Sequence, residues 1–280
     1  MQKIHRNLKH KLVILLLLVP LCVLTACQKK QTDSTESIEH LSESFLKTAE
    51  EGDEFLLGVF EQDNDPKNGW EDIEWVVLEK GDGYLTAISK YVIECMPFNE
   101  SEEWIAIDWE TCSLREWLNG DFYNEAFTDE EKAFISLTDL ENAGSEYFGL
   151  SGGNDTQDYV YLIDKDTIEY LYEDIKIGIS KITIGNESLE SYISQPTEYE
   201  PLVARFTESA KQKCISVWGG LSDYSEVEKE SGENCCYWWT RSKGDKEYSM
   251  LEVTMAGGIT SCPAMSESVG VRPMISVQLN

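Results

Sequence analysis

The run IEWVVLEKGDGYLTAIS (residues 73–89) reads as strand, turn and strand. Ile73, Trp75 and Val77 share one face at a period of two, which places a half-buried strand over Asp72–Glu79. Glu79-Lys80-Gly81-Asp82-Gly83 is turn chemistry, and Tyr84–Ser89 returns as the next strand, so a hairpin is expected. Glu54–Phe60 reads as a further strand upstream. Downstream, Tyr159–Ile163, Cys236–Ser242, Ser249–Met255 and Val269–Leu279 read the same way. In the last, Pro273 suggests an edge position or the start of ordered pairing. Helix starts interrupt the strands. Ser113-Leu114-Arg115-Glu116 and Thr128-Asp129-Glu130-Glu131 both fit a capping box, with a hydroxyl at the cap and a carboxylate three residues on. The apolar stripes that follow, Leu114/Trp117/Leu118 and Ala133/Phe134/Leu137, face a core. Asp164 caps a helix through Tyr172, and Val203–Cys214 reads as another helix. Gly178–Glu200 is less regular, and Gly219–Asn234 is polar and turn-rich.

The 280 residues carry 52 acidic and 23 basic side chains, a formal charge of −29. The first 26 residues hold four of the basic groups (Lys3, Arg6, Lys9, Lys11), no acidic group and two of the three histidines. Without them the balance is 19 basic against 52 acidic, or −33, and everything after His40 is histidine-free. A Ser-His-Asp triad, a Cys-His dyad and a His-ligated metal are therefore excluded from the body of the chain. So acidic a chain repels phosphate backbones, which argues against nucleic-acid binding.

Residues 1–26 read as a lipoprotein signal peptide. A basic n-region precedes the apolar run Leu12–Leu24, which is short for a membrane span. The run ends in Leu24-Thr25-Ala26-Cys27, a lipobox, so Cys27 is the expected diacylglyceryl site and membrane anchor. Residues 27–52 are then a lipidated tether and a short helix carrying Ile38, Leu41, Phe45 and Ala49 at helical spacing. Residues 53–280 form one globular domain, on the extracytoplasmic face of a bacterial membrane.

Six cysteines follow Cys27, and that compartment permits disulfides. Cys95 and Cys112 flank a short acidic excursion and are the first candidates for a pair. At most one of the adjacent Cys235 and Cys236 is expected to bond elsewhere, with Cys214 or Cys262. No CxxC occurs, and no metal or cofactor is assigned. Asp63-Asn64-Asp65 resembles the start of a calcium loop, but Lys67 takes position five and Asn68 stands where glycine is required, although Glu74 falls at position twelve, so a solvated acidic loop is expected. Trp238 and Trp239 must face opposite ways on a strand. Trp239 and Arg241 share a face and are the candidate ligand platform, against the alternative that they lock the sheet. Arg272 reads as a structural ion pair.

The order IEWVVLEKGDGYLTAISKY, DWETCSLREWLNGDFYNEAFTDEEKAFI, GGNDTQDYVYLI, CYWWTRS and GVRPMISV resembles the bacterial Domain of Unknown Function 6273 family, over about Asp53 to Asn280. Members are similar to secreted or surface-attached proteins of Gram-positive bacteria. The closing pattern of tryptophans, Arg241, Gly257-Gly258 and Gly270-Val271-Arg272 is also similar to the C-type-lectin-like superfold. The resemblance implies an α+β domain with a central antiparallel sheet and flanking helices, and no established activity. Lys243-Gly244 departs from a more typical Pro-Gly, and Tyr172–Pro201 is longer than usual. The expected function is binding of an envelope glycan, peptide or protein rather than catalysis, with an acidic field that favours cationic or neutral partners. The alternatives are an enzyme of formylglycine-generating type, which needs a reactive cysteine pair, a carboxylate-based hydrolase, or a structural lipoprotein.

Overall fold

The computed structural model describes residues 38–184, 187–217 and 235–278. The signal, Cys27, the tether and the segment 219–234 lie outside the described residues. Residues 38–280 form one compact unit. It opens with β1 (Glu39–His40) and α1 (Glu43–Thr48), then β2 (Glu54–Phe60), β3 (Glu71–Lys80), β4 (Tyr84–Ser89) and β5 (Glu94–Cys95). A helical stretch follows: α2 (Ser113–Trp117), a π-helical turn (Leu118–Phe122), α3 (Tyr123–Ala126) and α4 (Asp129–Lys132). Next come β6 (Thr138–Leu140), β7 (Thr156–Asp158), β8 (Val160–Tyr161) and α5 (Lys165–Leu171). The hairpin β9 (Lys176–Ile184) and β10 (Glu187–Gln195) precedes α6 (Glu208–Val217). The chain closes with β11 (Trp238–Lys243), β12 (Ser249–Val253), β13 (Ile259–Pro263), β14 (Gly270–Val271) and β15 (Met274–Gln278).

The fold is α+β. It has two large sheets rather than a single central one, in the orders β1-β2-β3-β4-β15-β8 and β5-β14-β11-β12-β13-β10-β9, with β6-β7 apart. Pairing is antiparallel except β1 with β2 and β11 with β14. The expected hairpin is present, with Val76 opposite Ile88 and Lys80 opposite Leu85. Pro273 precedes β15, which pairs with β4 on one side and β8 on the other, so it marks the start of pairing and not an edge.

One apolar core joins side chains from both large sheets. Four fully buried tryptophans anchor it, and each indole N–H has an acceptor, as burial requires. Trp75 donates to the Leu57 carbonyl (2.8 Å), Trp238 to Leu202 (3.2 Å), Trp239 to Met96 (3.0 Å) and Trp109 to the Asp158 carboxylate (2.9 Å). The core reaches upstream of residue 53. Ser42 caps α1, Phe45 meets the Phe55 ring at 5.3 Å, and Leu41, Leu46 and Ala49 are buried. Residues 38–52 are thus part of the body, because their apolar stripe has a sheet to pack on.

Local readings change where backbone pairing competes with them. The Thr128–Glu131 capping box forms as expected. At α2 the cap is Cys112, whose sulfur accepts from the Arg115 N–H, while Ser113 accepts from the Glu100 N–H. The helix at Thr128 ends at Lys132, since Ile135 bridges to Val277 of the sheet, and Leu137 is exposed. The stretch read as irregular is the β9–β10 hairpin.

Candidate functional site

Among the described residues an open groove of about 590 Å³ lies between the segment after β5 and the β13–β14 connection. Its position follows from backbone pairing. Cys95 of β5 lies opposite Gly270 of β14. A side chain at Gly270 would bring a Cβ within 2.4 Å of the Val92 side chain, so this approach needs glycine. Beyond the strand, Met96 N–H donates to the Val269 carbonyl (3.2 Å) and Asn99 N–H to Ala264 (2.9 Å). Between these ties Phe98 turns inward and packs on Trp109 and Trp239, at 6.0 and 5.7 Å between ring centroids. Met96 and Pro97 are thereby turned to the groove, opposite Met265.

Glu100, Glu102 and Glu267 also line it, and all three are exposed. Among the described residues no lysine, arginine or histidine forms an ion pair with any of them. A smaller recess adjoins at Ser101 and Met265, and there Trp104, 61% exposed, stands edge-on to Tyr248 at 4.5 Å. The volume falls in the range of small-ligand pockets, roughly 300–1,000 Å³. Thioether walls adapt to irregular apolar shapes. Unpaired carboxylates around them favour a cation with an apolar body.

The pattern of the family described as Domain of unknown function (DUF6273) matches residues 85–279. The chain belongs to this family. No curated protein matches it, and neither does any solved structure. The DUF6273 match covers both walls of the groove. It also covers a buried network that joins two of the sequence runs quoted above, DWETCSLREWLN and GGNDTQDYVYLI. Asp158 accepts from Trp109 Nε1 (2.9 Å), Arg115 Nε (2.7 Å) and Thr156 Oγ1 (2.8 Å). Asn119 accepts from the Tyr159 and Val160 N–H groups and donates to the Val160 carbonyl. These DUF6273 runs therefore hold the fold, and they do not line the groove.

The platform expected from the sequence is not on the surface. Trp239 is fully buried, with its ring against Phe98 and its N–H on Met96. Arg241 is partly buried, with its side chain 8% exposed. It donates to the Glu141 carbonyl (2.7 Å) and Asn142 Oδ1 (3.0 Å), and it pairs with Asp164. The polar pocket beside it holds about 20 Å³, room for about one water. Trp239 thus lies in the core and the Arg241 guanidinium is tied to Glu141, Asn142 and Asp164. Arg272 has no carboxylate partner among the described residues. It lies over the Trp238 ring at 5.2 Å and donates to the Ser89 carbonyl, so the expected ion pair is a cation–π contact. Lys243 turns inward, and its ammonium donates to the Ile107 and Glu247 carbonyls.

Cys95, Cys112, Cys214, Cys236 and Cys262 are free thiols, and the Cys95–Cys112 pairing is absent. Cys112 is taken up as the α2 cap, whereas Cys95 has the Cys214 sulfur within hydrogen-bonding reach. That neighbour, together with burial, pushes the Cys95 thiol far up. Burial pushes Cys112 up to about 12 and also raises Cys235, Cys236 and Cys262. Thiols held protonated are poor nucleophiles, which weighs against the reactive pair an enzyme of formylglycine-generating type needs.

Glu252 on β12 is buried, and burial raises its carboxyl from 4.5 to about 7. The unfolded chain loses this proton first, so the group's contribution is present below about 4.5, declines as pH rises and levels off above about 7. The span is worth about 3 kcal/mol. Glu252→Gln is expected to gain stability relative to the parent between pH 5 and pH 8, by up to about that amount. Urea unfolding of both proteins at the two pH values checks it. A constant difference between them would contradict the raised carboxyl.

Proposed function

We propose that this chain is a lipid-anchored, extracytoplasmic binding protein whose groove holds a cationic peptide segment. The observation that carries the reading is the coincidence of three exposed carboxylates, unpaired among the described residues, with an apolar floor of Met96, Pro97 and Met265. Lysine and arginine side chains match it, since each joins a methylene stem to a charged head. Trp104 extends the surface with a ring on which a guanidinium can stack. The anchor rests on the lipobox: diacylglyceryl on Cys27 holds the domain at the outer face of the cytoplasmic membrane, with residues 28–36 as the tether. Among the described residues no helix is long and apolar enough to cross a membrane. The closing pattern from Trp238 to Arg272 also suggests kinship with the C-type-lectin-like superfold, which carries no activity with it.

The test is titration with pentalysine and with a lysine/tryptophan-containing basic peptide, read by calorimetry. Replacing Glu100, Glu102 and Glu267 together by Gln is expected to weaken binding at least about tenfold, because three attractive charges at the surface are removed. Raising the salt from about 0.05 to 0.5 M is expected to weaken the parent but hardly the triple variant. Equal binding by parent and variant would defeat the reading.

A further inference from the structure

A second acidic constellation lies outside the family match, in the loop that joins β2 to β3. The register sets Phe60 opposite Glu71, and Glu61 follows directly where the hairpin opens. Asp63 follows on the loop, and one carboxylate oxygen from each of the three lies within 4.8 Å of the others. Two of the groups are pre-positioned. Glu71 accepts from the Gln62 and Asp63 N–H groups (2.8 and 3.2 Å), and Asp63 accepts from Asp65 N–H (2.8 Å) and Asn68 Nδ2 (2.6 Å). No lysine, arginine or histidine forms an ion pair with the three among the described residues.

Glu61 supplies the second, independent observation. Both of its carboxylate oxygens are buried, and neither accepts a hydrogen bond. A buried carboxylate without a donor is strongly unfavourable, so it demands a partner or a proton. Its oxygens lie beside two further carboxylates, and a cation answers that demand at all three. The loop is tied to the body by the Ser209 N–H, which donates to the Gln62 carbonyl (3.0 Å), so a cation here would also brace the start of α6.

We infer that Glu61, Asp63 and Glu71 form a binding site for a divalent calcium ion. All-oxygen ligands suit a hard cation, and calcium with ligands at about 2.3–2.6 Å spans this separation without backbone movement. Asp63 comes from the loop start singled out in the sequence, but Glu71 takes the part expected of Glu74, which instead pairs with Lys90 at 2.7 Å.

The test is a thermal melt of the full chain in mild detergent, with calcium up to about 10 mM, an upper range for weak extracellular sites. Magnesium and sodium controls are run at equal ionic strength. Calcium is expected to raise the midpoint by several degrees, and magnesium or sodium by much less. Glu61→Gln is expected to lose at least about tenfold in calcium affinity while melting higher than the parent without calcium, since it removes an unpartnered buried charge. Equal shifts with calcium and magnesium would mean general screening of an acidic chain and would overturn the site. So would an unchanged calcium response in Glu61→Gln. A parent whose midpoint ignores calcium would also overturn it, whatever the melting of Glu61→Gln.

Discussion

Trp239→Ala is expected to lower the melting midpoint by about 10 °C, because emptying a buried tryptophan site costs about 3–5 kcal/mol and each kcal/mol is worth about 2–4 °C in a domain of this size. The ring is fully buried against Phe98, and its N–H satisfies the Met96 carbonyl. Alanine removes both the packing and the donor. Trp239→Phe keeps most of the packing and loses the donor alone, so it is expected to cost only about 1–3 kcal/mol. Differential scanning calorimetry on the three proteins checks the order. A near-parental midpoint for Trp239→Ala would mean that the ring is exposed after all, which would restore it as a surface platform.

Asp158→Ala should be comparably severe, at about 3–5 kcal/mol, because it breaks a buried ion pair and leaves its partners stranded. Asp158 is 1% exposed and is the common acceptor for Trp109, Arg115 and Thr156. A double-mutant cycle with Arg115→Ala isolates the pair, and the expected coupling is about 1–3 kcal/mol. Strict additivity would show that the arginine owes its place to other contacts, such as its bond to the Glu110 carbonyl.

Much of this architecture was legible where one face of an element is buried and its turn chemistry is local. The β3–β4 hairpin, the Thr128 capping box and the Asp164 cap of α5 depend on neighbours in sequence. The β9–β10 hairpin was hidden because Lys176–Gln195 mixes serine, lysine and glutamate among its apolar residues, although Gly185-Asn186 is itself a hairpin signal. A two-sheet arrangement depends on long-range pairing, such as β15 against β4 and β8, that no local pattern reports.

The site was less legible than the fold. Trp239 and Arg241 stand out by residue type, yet residue type says nothing of which face is covered. Trp239 lies in the core, and the partly buried Arg241 is tied to Glu141, Asn142 and Asp164. Cys95 and Cys214 were both named, but only the meeting of β5 with α6 brings them together. The groove does have a sequence trace. Met96, Pro97, Glu100, Glu102 and Trp104 crowd into nine residues, an apolar and acidic mixture that reads as neither strand nor helix. Its other wall, Met265 and Glu267, comes from the far end of the chain. The orphaned Glu61 likewise shows only once the hairpin register is known.

Amide hydrogen exchange of the full chain, with and without saturating pentalysine, tests the central claim most directly. Protection confined to 95–105 and 264–268 is the predicted result, since these segments form the two walls of the groove. Protection centred elsewhere, or none at a concentration where calorimetry shows binding, would contradict the groove as the binding site.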